Sequence, residues 1–282
     1  MNTNTMNTNE SGHPRLDRYI SPSRLNLWLS CPLAFRFKYV DGLFSAPSPG
    51  LFLGKRVHDG LALYYRYRRL GITLDCAEVV RHVIESWDEA IEQEPVAFKN
   101  PGDEEQLKRQ AVALIRTYLA AVPPDEAPPL AVEELWKAPA VDPLTGEDLD
   151  IPLLGIVDLV IDGPNGPIII DFKTTARSGA PLEIVHEIQL STYAYLYRQV
   201  SGRREAGLEI RNLVKTKSPQ VVFHSYPART RTHFQRLFAA IRAYLADLES
   251  RTFVFRPGFG CNICDFRKAE CGDWNGHTPY DS

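Results

Sequence analysis

At 282 residues, 44% of them hydrophobic, the chain can bury one generous core or two small ones. No uninterrupted apolar run reaches about 18 residues, which excludes a membrane-spanning helix. The net charge of −3 argues weakly against a nucleic-acid partner, but its distribution is uneven. From Glu85 to Glu105 the chain holds eight acids and one lysine, whereas from Arg203 to Arg256 eleven Lys and Arg stand against four Asp and Glu. A basic C-terminal half is the footprint expected of phosphate binding, and ordinary solvated helix faces explain it about as well.

The first residues, Met1 to Asn9, are polar and repetitive, with no apolar signal segment, so residues 1–18 are expected to form a disordered tail. Five cysteines without an export signal place the chain in a reducing, cytoplasmic setting, where metal binding outranks disulfides. Ser21-Pro22 reads as a cap followed by Pro at the first helical position, opening a helix to about Tyr39. Further helices are expected over Gly54–Leu70, 76–93 and 104–122, the last two acidic and amphipathic. Pro123-Pro124 and Pro128-Pro129 end that helical part. Strands follow near 130–137, 151–161 and 167–173, then a helix from Leu182 to Val200, strands near 207–215 and 220–226, and a helix from Thr230 to Leu248. This order predicts a mixed α/β or α+β domain.

Gly163-Pro164-Asn165-Gly166-Pro167 is a turn signal between two apolar runs, which reads as a β-hairpin. Its centre lies midway between Asp158 and Asp171, so the two carboxylates face each other, and period-two alternation puts Lys173 on the face of Asp171. Two acids and an ammonium crowded together call for a divalent cation, Mg²⁺ or Mn²⁺. With Asp158 and Asp171 as ligands and the Phe172 carbonyl as a further oxygen, such a site suits phosphodiester hydrolysis, Lys173 orienting water or neutralising charge on the phosphate. A surface hairpin with an incidental Asp–Lys pair is the bland alternative. His58, on the second helix, could add an imidazole. Gln189 and Tyr193 share a helix face at i, i+4 and could contact a DNA strand. Glu133 and Glu134 stand on the preceding strand, and alternation allows at most one of them to reach the site. Arg203, Arg204, Arg211, Lys215 and Lys217 are candidates for a basic groove on charge alone.

Cys261, Cys264 and Cys271 form a C-x2-C-x6-C run near the end, and Cys31 stands far from it. Four thiolates can close one metal site joining the two ends of the chain, across a loop of about 230 residues. Iron–sulfur and structural zinc both fit this spacing, and reduced core cysteines are the alternative. Cys76 is expected to be a small core residue.

Taken in order, Ser23-Arg24-Leu25 through Cys31-Pro32-Leu33-Ala34-Phe35, Gly54 to His58, Gly155 to Asp158, Asp171 to Thr175, Gln189 to Tyr193 and the cysteine run resemble the RecB-like branch of the PD-(D/E)XK nuclease superfamily. The resemblance is to its iron–sulfur members, such as the nuclease domain of AddB and the stand-alone CRISPR-associated exonucleases, and spans about Ile20 to Trp274. It implies a central mixed β-sheet flanked by helices with a restriction-endonuclease-like core, a metal site of His58, Asp158 and Asp171 with Lys173 catalytic, and a [4Fe–4S] cluster on Cys31, Cys261, Cys264 and Cys271. Gln189 and Tyr193 match the family's helix motif, while the gap between Cys264 and Cys271 is one residue longer than usual. The implied organisation is a nuclease domain over 19–256, with a helical insertion at about 72–128, and a cysteine-rich segment over 257–282 packed on the N-terminal helix. The implied activity is that of a DNA exonuclease on single-stranded ends, in repair, phage or CRISPR-associated processing. A non-catalytic iron–sulfur DNA-binding subunit of a helicase–nuclease assembly is the alternative, as is a structure-specific endonuclease. The chain has no G-x-x-x-x-G-K-[ST] loop, so any helicase motor would be a separate polypeptide.

Overall fold

The structure, a computed structural model, describes residues 19–43, 45–100, 102–176, 183–274 and 276. The expected tail over 1–18 and the end of the cysteine-rich segment, 277–282, lie outside the described residues.

Ser21 caps the first helix, α1 (Pro22–Ser30), by accepting a hydrogen bond from the Arg24 N–H, with Pro22 at the first position. The helix does not run on to Tyr39. It stops at Cys31, which is extended (φ −161°, ψ 108°), because the ring of Pro32 crowds a helical residue before it. The chain restarts as α2 (Pro32–Phe35) and loosens into a single wide π turn over Arg36–Val40. The next helix, α3 (Pro49–Arg69), begins five residues ahead of Gly54, through the same Ser-Pro device: Ser48 caps Leu51 N–H and Pro49 takes the first position. The acidic stretch divides into α4 (Cys76–Glu85) and α5 (Trp87–Gln93) at Ser86, whose hydroxyl donates back to His82 and Val83 carbonyls. Helix α6 (Asp103–Ala121) follows. Cys76 is only half-buried at the start of α4 rather than in a core.

Five strands form one sheet in the order β1 (Pro129–Val141), β2 (Asp148–Gly163), β3 (Gly166–Thr175), β4 (Gly207–Val214) and β5 (Gln220–Pro227). All neighbours are antiparallel except β3 and β4, which run parallel because the crossover helix α7 (Glu183–Ser201) joins them. Helix α8 (Arg231–Glu249) ends the core. The sheet is thus mixed and flanked by helices. On one face, Val157, Val160, Ile169, Leu208 and Ile210 pack against α1, α7 and α8 through Leu25, Trp28, Leu190, Leu237 and Phe238. Gly155 admits this contact, since a Cβ there would lie 3.0 Å from Leu196 Cδ1 and 3.1 Å from the Tyr193 ring. On the other face, Leu159, Ile161, Ile170, Phe172 and Leu213 pack against α3, α4 and α6.

The basic half is partly consumed inside this core. Arg211 is 3% exposed, its guanidinium 2.5 Å from Glu126, 2.6 Å from Glu209 and hydrogen-bonded to the Tyr65 and Tyr118 hydroxyls. Arg229 is fully buried against Glu183. Arg211 therefore leaves the list of groove candidates: strand β4 is internal, and an inward arginine must be paired there. Among the described residues no helix is long and apolar enough to cross a membrane.

Candidate functional site

The β2–β3 hairpin keeps the register read from its turn, Gly163 opposite Gly166 and Leu159 opposite Ile170. One step beyond, where Asp158 and Asp171 come level, the backbone pairing stops. Asp158 Oδ2 instead accepts the Phe172 N–H at 2.7 Å, so a carboxylate stands in for a strand carbonyl. The two strands part here, and helices on both faces of the sheet reach into the gap.

From the α3 side comes His58, whose Nδ1 lies 3.7 Å from Asp158 Oδ1. From β1 comes Glu133, in an uncommon left-handed conformation with φ 47°. Before it, Ala131 faces the α7 core and Val132 the α3 core. After it, Trp136, Ala138 and Ala140 all face the α7 core, so the alternation slips by one at the acid. The flanking pairs Val132–Leu159 and Glu134–Val157 set Glu133 against Asp158. His58, Glu133 and Asp158 offer ligand atoms all within 4.8 Å of one another, the one such group among the described residues. Glu134 points elsewhere, 3.8 Å from Arg69.

From the α7 side the site is closed by a polar clamp. Lys173 Nζ is 2.6 Å from Asp171 Oδ2. Gln189 accepts from Lys173 Nζ at 2.9 Å and donates to Asp171 Oδ1 at 3.1 Å and to the Tyr193 hydroxyl at 2.9 Å. Residues 189 and 193 do share a helix face, and it is turned onto the acid and lysine. Asp171 stays outside the three-residue ligand group, although its charge and that of Asp158 are felt together. Phe172 is turned the other way, its ring edge-on to His58 at 5.8 Å and stacked at 6.2 Å on Tyr65.

The electrostatics are those of buried, crowded acids that Lys173 offsets only in part. Burial pushes the Glu133 carboxyl up to about 7, with the Asp158 charge adding to it. Burial raises Asp171 to about 6; Asp158 adds to the rise and Lys173 opposes it. Burial acts to lower His58, but its bond to Asp158 and the charges of both aspartates outweigh that and leave it raised. Burial holds Tyr193 well above the usual phenol range.

Sequence reasoning left Glu133 undecided against Glu134. Counting outward from Thr145-Gly146, the turn between β1 and β2, would have placed Glu133 opposite Asp158, but the slip in alternation carries no sequence mark.

The four cysteines Cys31, Cys261, Cys264 and Cys271 line a second site, a cavity of about 640 Å³ under the C-terminal segment. The Arg256 N–H donates to Cys31 Sγ and the Gly258 N–H to Cys261 Sγ, both at 3.4 Å. Burial raises the Cys271 thiol, and Cys31, Cys264 and Cys261 add to the rise. Leu33, Ala34, Phe37 and Phe266 form the apolar floor. All four cysteines are free.

Residues 19–269 match the PD-(D/E)XK nuclease superfamily. Among solved structures, a candidate exonuclease from Eubacterium rectale is 14% identical and covers 99% of this chain and 96% of its own, with a TM-score of 0.58, which shows a common fold. The protein SSO0001 is 17% identical over 76% of this chain and 91% of its own, with a TM-score of 0.37. No curated protein matches the chain.

Proposed function

The chain belongs to the PD-(D/E)XK nuclease superfamily, and from that premise we propose that it is a metal-dependent exonuclease that hydrolyses phosphodiester bonds at single-stranded DNA ends. The observation that carries this reading is the meeting of His58, Glu133 and Asp158 with the Asp171–Lys173–Gln189 clamp where β2 and β3 part.

The donors fit Mg²⁺ or Mn²⁺: carboxylate oxygens and one imidazole, with Glu133 and Asp171 raised by burial and by the charge of Asp158. His58, Glu133 and Asp158 would hold the ion, with Asp171 and the Phe172 carbonyl as further ligands. A bound divalent ion lowers the pKa of water and polarises a phosphoryl oxygen. The remaining work falls to side chains. Gln189 uses its carbonyl on Lys173 and its amide on Asp171 and Tyr193, which locks the amide's orientation and holds the ammonium beside the acid. Lys173, about a quarter exposed, offers its charge to a phosphate that approaches from solvent. Degradation of end-labelled DNA with Mg²⁺ or Mn²⁺, beside Asp171→Ala and Lys173→Ala, tests this. Equal activity in all three proteins removes the assignment. Resistance of closed circular DNA separates exonuclease from endonuclease action, and the name of the E. rectale protein agrees with the former.

The cysteine cavity fits a [4Fe–4S] cluster by its donor set, four thiols around one space with N–H groups directed at two of them. Cys31, Cys261, Cys264 and Cys271 would hold it, and it would join the C-terminal segment to α1. Structural zinc on the same four thiolates is the alternative. Anaerobically purified protein is expected to be brown and to contain iron. A colourless, zinc-loaded preparation refutes the cluster while preserving the cross-link.

A further inference from the structure

An open cleft of about 510 Å³ leads away from Lys173 between α1 and α7. Lys173 and Gln189 close its inner end, Asn26 and Ser30 of α1 line one side, and Ile184 and Val185 of α7 line the other. Ile184 is 72% exposed and Val185 60%, and neither joins any of the three hydrophobic cores formed among the described residues. The fold gains nothing from two branched apolar side chains standing in water beside the candidate catalytic lysine, so their position asks for an occupant.

The chemistry of the walls selects it. Among the described residues Lys173 is the one charged side chain lining the cleft, and it stands at the end nearest the acids. His186, also in the wall, is neutral at neutral pH, because burial, and then the Lys173 charge, push it down to about 4. A run of phosphates would need more cations than this. A flat group with apolar faces and polar edges needs what is there: branched carbons, an imidazole, an amide and a hydroxyl.

We propose that this cleft takes an unpaired nucleobase of the strand being cut, next to the phosphate held at Lys173, with Ile184 and Val185 against its face and the Asn26 amide at its edge. This deepens the nuclease reading above and rests on it. A base inside a duplex has its faces stacked and its edge paired, so the cleft admits single-stranded ends and rejects blunt ones.

The test uses the full chain and two end-labelled oligothymidylates, one intact and one abasic at the terminal nucleotides. With Mg²⁺, Ile184→Asn/Val185→Asn is expected to raise KM on the intact strand roughly tenfold with kcat within about twofold, the pattern of lost uniform binding. Wild type is expected to lose a similar factor on the abasic strand, and the double variant to be indifferent to base removal. Asn26→Ala, a milder change, should raise KM roughly threefold. Unchanged KM in both variants, with the abasic strand cut as well as the intact one, overturns the cleft assignment and leaves the nuclease standing. Should wild type cut neither strand, the nuclease reading fails. The cleft is then judged by fluorescence anisotropy of both strands without metal: tighter binding of the intact strand sustains it, and equal affinity overturns it.

Discussion

The acidic site and the cysteine cavity are both assembled from residues remote in sequence, His58 with Asp158 in one and Cys31 with Cys261 in the other, yet they are held in different ways. At the acidic site the fold does the holding. Asp171 is 1% exposed, Asp158 is bonded to a strand N–H, and Gln189 fixes Lys173. At the cysteines, Phe259 and Ile263 stand 90% and 87% exposed, and among the described residues Phe266 is the one buried hydrophobic residue beyond Phe253. Two N–H contacts at 3.4 Å are a weak hold on four thiols. A site made by a large core exists before its ligand arrives; a site on a segment held by one small apolar cluster depends more on the bonds its ligand supplies.

That contrast can be broken in four ways. Asp158→Asn should lower DNA cleavage by roughly 10³-fold while leaving the circular dichroism spectrum unchanged, because the ligand charge is lost and the fold is not. A comparable loss of secondary structure would mean that the acid is architectural. Cys31→Ser should cost on the order of 3–5 kcal/mol, as cross-links over long loops do, and open the segment to trypsin at Arg256 and Arg267. Unaltered proteolysis of that variant would show that the segment needs no cross-link.

Arg211→Met leaves Glu209 without its cation and Glu126 with Arg68 alone behind Phe172, and a loss of about 3 kcal/mol is expected in urea unfolding. A smaller loss would locate the rigidity of the acidic site elsewhere. The gentlest change is Glu133→Gln. Carboxyls raised to about 6 and 7 keep their protons longer in the folded chain than in the unfolded one, so the metal-free protein should lose stability as pH rises from about 4 to 7, with no further loss above. At pH 8 without metal, Gln at 133 should therefore stabilise by about 1–2 kcal/mol, after allowance for the solvent contact of Glu133. Mn²⁺ should restore wild type and help the variant less in parallel thermal melts. Equal melting of both proteins at pH 8 without metal would remove Glu133 from the crowded set.

Legibility followed how local each cause was. The Gly163–Pro167 turn lies beside the strands that it joins, so the register reaching Asp158 and Asp171 could be counted. The break at Cys31 and the start at Pro49 were written in Pro32 and Ser48-Pro49, but hydrophobic periodicity ran past the first and fell short of the second. The basic excess misled at Arg211 and Arg229, because a list of charges does not say which of them are turned inward and paired.

Read as a string, these residues determine the order of helices and strands, the hairpin, the Asp-Phe-Lys triplet and the two-ended cysteine set, since each depends on neighbours within a turn or a strand. Only the folded chain decides that Glu133 rather than Glu134 joins His58 and Asp158, that Gln189 clasps Lys173, and that a cleft opens between α1 and α7. These outcomes depend on where two strands part and how two helices lean across the gap. They are set by packing summed over the whole core, which no short window of sequence contains.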